Sequence, residues 1–123
     1  MMTQIILLFG SIYGMLAVIF GAFGAHALKK RLNGAQLKSF ETGVKYQMYH
    51  ALALLIVGFN ISNPSCVLGI SFILGIFLFS FSIYGLVLSD SLGKKLRFLG
   101  PVTPIGGLFL IIGWSSLLYS ILT

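Results

Sequence analysis

One short polar segment, His26 to His50, decides the fold, and it reads HALKKRLNGAQLKSFETGVKYQMYH. It contains both histidines, one of the two acidic residues and five of the eight basic residues of the chain. On either side the sequence is apolar over stretches long enough to cross a bilayer. The segment therefore connects membrane-spanning helices, and it also holds most of the side chains that could carry chemistry.

The composition of the whole chain is typical of a membrane protein. Of its 123 residues, 58% are hydrophobic and only 8% are charged, whereas about 25% of residues are charged in a soluble domain. Residues 1–28, 46–89 and 98–123 contain no Asp, Glu, Lys or Arg. A soluble fold of this size is excluded, because it would need far more polar surface to cover its core.

The three charge-free runs predict four transmembrane helices. About 20 apolar residues are enough for one span, and the middle run is roughly twice that length and is interrupted by turn-forming residues at 60–64. The predicted fold is an all-α integral membrane bundle in one domain, residues 1–123. We place its spans at about 5–28, 46–60, 65–88 and 101–122, and an amphipathic cytoplasmic lead-in at 35–45.

All basic residues lie in two of the three connections between these spans: Lys29, Lys30, Arg31, Lys38, Lys45, Lys94, Lys95 and Arg97. In a four-span protein these two connections face the same side, and the positive-inside rule makes that side cytoplasmic. Both termini are then outside. We expect the basic side chains to contact anionic lipid head groups, each contributing about 1 kcal/mol, and we expect no nucleic acid as a partner.

A cleaved signal peptide is the alternative interpretation of residues 1–28. Ala25-His-Ala27 resembles a cleavage site. However, the segment has no basic residues before its apolar stretch, and Lys29-Lys-Arg31 directly after the site would oppose translocation. We therefore interpret residues 1–28 as a retained span.

Five polar side chains are candidate functional residues, because polar groups in or beside a membrane are costly unless they are paired: His26, Glu41, Gln47, His50 and Tyr84. A hairpin at Asn33-Gly34 would bring Glu41 level with His26, although Glu41 could equally pair with Lys38 or Lys45 on its own helix. His50 lies about 13 Å deeper than Glu41. The two histidines of one chain should therefore not share one metal ion, which leaves a site between subunits as the alternative.

Gln47 and His50 have two interpretations. They could form hydrogen bonds across helices and hold the bundle together. Alternatively, they could form a proton relay or contact a ligand just inside the membrane. Cys66 is the only cysteine, and no phosphate-binding, dinucleotide-binding, CxxC or HExxH motif occurs. We expect no catalytic residue, no metal and no cofactor, and therefore no enzyme.

Small residues recur along the first span: Gly10, Gly14, Ala17, Gly21 and Gly24 are spaced by four, three, four and three positions. Such a stripe allows another helix to approach closely. It serves either packing within the chain or association between copies.

Three motifs resemble a known family. They are Gly21-Ala-Phe-Gly-Ala-His-Ala-Leu28, Phe40-Glu-Thr-Gly-Val-Lys-Tyr-Gln-Met-Tyr-His-Ala-Leu-Ala-Leu54, and Gly100-Pro-Val-Thr-Pro-Ile-Gly-Gly107 with Gly113-Trp114. In this order they resemble the YgdD/YwdK family of small multi-pass membrane proteins of unknown function. The resemblance covers nearly the whole chain. It implies a multi-pass plasma-membrane protein with cytoplasmic basic loops, and it implies no particular activity.

The preferred functional hypothesis is a non-enzymatic structural or accessory subunit that forms a homo-oligomer or joins a larger membrane complex. The alternative is a small oligomeric transporter or channel, with a polar path formed by the five candidate residues near the cytoplasmic face. A third hypothesis is an enzyme that acts on lipids or quinones. It would need a nucleophile or a metal cluster, and the sequence offers little material for either.

Overall fold

The computed structural model describes residues 1–123, with the exception of the side chain of Ala25. Four long helices make up the fold, and we name them α1 (Met2–Leu28), α2 (Gly34–Asn60), α3 (Cys66–Ser91) and α4 (Val102–Leu122). A short 3-10 helix at Arg97–Leu99 precedes α4. The described part of the chain contains no β-strand. The prediction of an all-α fold is confirmed.

Helix α2 begins at a capping box. The side chain of Asn33 accepts a hydrogen bond from the backbone N–H of Gln36, and the side chain of Gln36 accepts one from the backbone N–H of Asn33. These two bonds satisfy N–H groups that have no partner within the helix. The helix then runs without interruption to Asn60, so the predicted lead-in and the predicted second span form one helix of 27 residues.

Helices α1 and α3 each contain a π-helical stretch, at Ile19–Gly24 and Phe77–Phe81. A π turn widens the helix, and it leaves a backbone carbonyl free for another partner. The two stretches lie beside each other, because the ring of Phe20 packs edge-on against Phe81 at 6.3 Å and against Tyr84 at 5.2 Å. No pattern in the sequence predicts these stretches.

Two groups of connections lie at opposite ends of the bundle. At one end, Gln36 donates a hydrogen bond to Asp90, which brings the two basic connections together. At the other end, the hydroxyl of Thr3 donates to the carbonyl of Ser62, and Ser65 and Ser116 share a hydrogen bond. The termini and the 61–65 turn are therefore grouped away from the basic residues.

Three helical segments are long and apolar enough to cross a membrane: Met2–Leu28, Cys66–Ser91 and Arg97–Leu122. Helix α2 has sufficient length but is less apolar, because its first half carries the charged residues Lys38, Glu41 and Lys45. A membrane bundle is therefore supported for three helices by length and composition alone. Whether α2 can be a fourth span depends on how its polar side chains are buried and hydrogen-bonded.

Candidate functional site

A buried hydrogen-bond network centres on Gln47, whose side chain is 0% exposed. Its Nε2 donates to the backbone carbonyl of Tyr13 at 2.8 Å, and its Oε1 accepts from the hydroxyl of Tyr84 at 2.7 Å. The orientation of the amide follows from these partners, because a carbonyl can only accept. Gln47 of α2 thus binds α1 and α3 at the same time.

Two further buried hydroxyls extend this network. The hydroxyl of Tyr13 donates to the carbonyl of Ile73 at 3.0 Å, next to the π-helical stretch of α3. Ser80, within that stretch, donates to the carbonyl of Gly43 at 2.7 Å. Among the described side chains, every buried nitrogen and oxygen atom has a hydrogen-bond partner. The network is therefore a closed set of contacts between α1, α2 and α3.

His50 lies one turn further along α2 and contacts α4. Its Nδ1 is 2.7 Å from the carbonyl of Tyr46, and its Nε2 accepts from the indole N–H of Trp114 at 3.0 Å. A carbonyl only accepts and an indole only donates, so both bonds fit the neutral imidazole with its proton on Nδ1. The rings of His50 and Trp114 meet edge-on at 5.8 Å. One imidazole nitrogen is therefore bonded within α2, and the other joins α2 to α4.

An open apolar groove of about 490 Å³ lies beside this pair, between α2, α3 and α4. Tyr46, His50 and Trp114 provide its polar atoms, and Phe79 and residues of α4 provide the rest of its lining. Because His50 already has two partners, it offers this groove little hydrogen-bonding capacity. The groove is chiefly an aromatic and aliphatic surface.

The five predicted candidate residues fall into three places. Gln47 and Tyr84 are bonded directly to each other, and His50 contacts Trp114 on a different side of α2. Glu41 is exposed and lines a pocket of about 170 Å³ with Gly21, Val44 and Lys45. His26 is exposed and is absent from the lining of that pocket. The structure thus brings together only one pair of the five.

The basic residues of both connections are exposed: Lys29, Lys30, Arg31, Lys38, Lys45, Lys94, Lys95 and Arg97. Asp90 and Lys94 are four positions apart but do not share a helix, because α3 ends at Ser91 and the chain turns at Gly93, where φ is +80°. Asp90 accepts a hydrogen bond from Gln36 at 2.8 Å instead. This contact joins the start of α2 to the end of α3.

The small-residue stripe of α1 is used within the chain. A methyl group added at Gly10 would lie 3.0 Å from Leu55 and 3.2 Å from the carbonyl of Ala51, and one added at Gly21 would lie 3.1 Å from Val44. All of these neighbours belong to α2. Of the two uses considered for the stripe, packing of α1 on α2 is the one that the structure contains.

Sequence reasoning missed Tyr13 and the pairing of Trp114 with His50. Tyr13 and Trp114 are both aromatic residues with one polar atom, and each lies in an otherwise apolar helix. Such an atom needs a hydrogen-bond partner when it is buried away from water. This requirement could have marked both residues as contacts between helices, although it could not have named their partners.

The helices, their apolar length and the closed polar network define the class of the protein: it is a small helical membrane protein. The comparison with known families agrees with this class. Residues 20–107 match the family described as "Protein of unknown function (DUF423)". The chain belongs to this family, and the predicted family resemblance is confirmed.

Several relatives cover almost the whole chain, and each bears the name "UPF0382 membrane protein". The relative YwdK of Bacillus subtilis is 39% identical over 116 residues, which are 90% of each chain. SAB0533 of Staphylococcus aureus is 40% identical over 118 residues, 94% of this chain and 93% of its own. A relative from the yeast Schizosaccharomyces pombe, C1782.12c, is 42% identical over 107 residues, 85% of this chain and 91% of its own. No solved structure matches the chain.

Proposed function

We propose that this membrane protein is a non-enzymatic structural or accessory subunit of the plasma membrane, with four spans and with both termini outside. The observation that carries the proposal is the role of α2 as the hub of the bundle. Its side chains and backbone bind α1 through Gln47, α3 through Gln47 and Gly43, and α4 through His50. Three of the five candidate polar residues, Gln47, Tyr84 and His50, are thereby engaged in holding helices together.

The same contacts support α2 as the fourth span. A polar side chain in hydrocarbon is costly unless it has a partner. Gln47 and His50 lower the average hydropathy of α2, yet both are buried and hydrogen-bonded inside the bundle. If the three helices that are hydrogen-bonded to α2 cross a membrane, α2 lies in that membrane with them. The 27 residues of α2 correspond to about 40 Å, which exceeds the roughly 30 Å hydrocarbon core.

The topology is open to a direct test with the single cysteine. Cys66 is exposed and directly follows the 61–65 turn. With four spans and cytoplasmic basic loops, a membrane-impermeant maleimide added to intact cells should label Cys66. In a Cys66→Ser background, Thr123→Cys should be labelled and Lys94→Cys should be labelled only after the cells are opened.

The pattern of labelling distinguishes the alternatives. If α2 did not cross the membrane, Cys66 and Lys94→Cys would still lie on opposite sides, so these two positions cannot distinguish three spans from four. Residues 3 and 123 can, because they lie on the same side with four spans and on opposite sides with three. Thr3→Cys in the Cys66→Ser background is therefore the decisive companion variant. Labelling of only one of the two terminal cysteines in intact cells would rule out an even number of spans.

The functional proposal is tested by comparing transport with association. Protein reconstituted into liposomes that contain a pH-sensitive dye should show no more proton flux than protein-free vesicles. The tagged protein, extracted in mild detergent, should migrate on a sizing column as an oligomer or with an added membrane protein identified by mass spectrometry. A proton flux that depends on pH and is lost in His50→Ala would replace this proposal with the transporter hypothesis.

A further inference from the structure

A second pocket lies at the end of the bundle that carries the basic connections. It has a volume of about 360 Å³ and is formed by the start of α2, the end of α3 and the segment that leads into α4. Its apolar wall consists of Ile83, Leu86 and Val87. Its polar wall contains one carboxylate, Asp90, and one ammonium group, Lys95. The pocket therefore combines an apolar surface with one charge of each sign.

The depth of this pocket matches the surface of a bilayer. Ile83, Leu86 and Val87 belong to the last turns of α3, which is long and apolar enough to cross a membrane. Asp90 lies near the end of that helix, and Lys95 follows it in the connecting loop. An occupant of the pocket would thus have its apolar part at the level of the acyl chains and its polar part among the head groups.

Asp90 is the feature that sets this pocket apart from the other basic surfaces of the chain. It is one of only two acidic residues. Its Oδ2 accepts a hydrogen bond from Gln36 at 2.8 Å, which holds the carboxylate against the pocket that Asp90 lines. A lipid with only negative charge would be attracted by Lys95 and repelled by Asp90.

We propose that this pocket binds a phospholipid whose head group carries both a primary ammonium and a phosphate, as in phosphatidylethanolamine. The ammonium would donate hydrogen bonds to Asp90, the phosphate would accept from Lys95, and the glycerol and upper acyl chain would lie on Ile83, Leu86 and Val87. This inference requires only that the chain lies in a membrane. It does not depend on the proposed accessory role.

The first test measures head-group preference with the unaltered protein. Native mass spectrometry of the purified protein should show phosphatidylethanolamine binding about tenfold more tightly than phosphatidylglycerol or phosphatidylcholine, because a hydrogen bond between charged groups is lost in both of the latter. Progressive N-methylation of the ethanolamine removes N–H donors and should weaken binding with each methyl group. Equal binding across the methylation series would overturn the proposal.

Three variants test the residues named. Asp90→Asn keeps an oxygen that can accept from Gln36 and removes the charge, so it should abolish the preference for ethanolamine over choline. Lys95→Gln should weaken binding of both lipids, and the neighbouring Lys94→Gln, which does not line the pocket, should change neither. A preference for ethanolamine that persists in Asp90→Asn would show that the ammonium is recognised elsewhere.

Discussion

Replacing Gly106 by alanine should lower the free energy of unfolding by about 2 kcal/mol, because α4 packs on the backbone of α3 at this position. A methyl group at residue 106 would lie 2.7 Å from the backbone carbon of Leu78 and from Cα of Phe79, and it would also clash with the amide nitrogen of Phe79. Overpacking of a well-packed interior costs about 1–3 kcal/mol. Backbone atoms cannot rotate away, so we expect a packing cost near the upper end of that range. The better helix propensity of alanine offsets about 1 kcal/mol of this cost, which leaves a net loss of about 2 kcal/mol.

The adjacent glycine provides a matched control. A methyl group at Gly107 would lie 3.7 Å from the ring of Phe79, which is an ordinary contact distance. Gly107→Ala should therefore be neutral or raise the free energy of unfolding by up to about 1 kcal/mol through helix propensity alone. Both variants are compared by titrating protein in mixed micelles with a denaturing detergent. Equal stability of the two variants would show that α4 does not approach the π-helical stretch this closely.

The helices could be predicted from the sequence because their signals are local. Absence of charge over long runs marks spans, and Asn33 followed by Gln36 supplies the capping box that starts α2. These features depend on residues close together in the chain, so the order of residues was sufficient to find them. The connection between α1 and α2 is limited to residues 29–33, so most of the polar segment from His26 to His50 lies within helices.

The contacts of the candidate residues could not be predicted in the same way, because they join positions far apart in sequence. Tyr84 and Gln47 are 37 residues apart, and Trp114 and His50 are 64 apart. The hydrogen bonds at the π-helical stretch Phe77–Phe81 also join distant positions, since Tyr13 donates to the carbonyl of Ile73 and Ser80 donates to that of Gly43. Asp90 and Lys94 are close in sequence, yet they do not share a helix, because α3 ends at Ser91 and the chain turns at Gly93.

Replacing Gln47 by leucine should lower the free energy of unfolding by about 2 kcal/mol, although leucine has a similar size. The substitution removes two hydrogen bonds between helices, each worth about 0.6 kcal/mol on average and up to about 1.7 kcal/mol in a membrane bundle. It also leaves the buried hydroxyl of Tyr84 without its acceptor, and an unpaired buried polar group is costly. The same detergent titration in mixed micelles measures the loss.

The Tyr84→Phe substitution tests the hydrogen bond between the side chains of Tyr84 and Gln47 by itself. It removes only the hydroxyl, so we expect a loss of about 1 kcal/mol. The double variant should be destabilised by less than the sum of the two single losses, with a coupling of about 1 kcal/mol, because both single variants break the same bond. Tyr49 is exposed and lies on α2, the helix of Gln47. Tyr49→Phe should leave the free energy of unfolding unchanged and should show no coupling to Gln47→Leu.

The coupling decides between the two roles considered for these residues. If Gln47 and Tyr84 lined a water-filled path, water would replace the lost partner, and the single losses would be small and additive. A coupling near zero would therefore contradict the closed network. A coupling of about 1 kcal/mol would mean that the polar groups of α2 bind α3 directly, which is the arrangement on which the structural role of this helix depends.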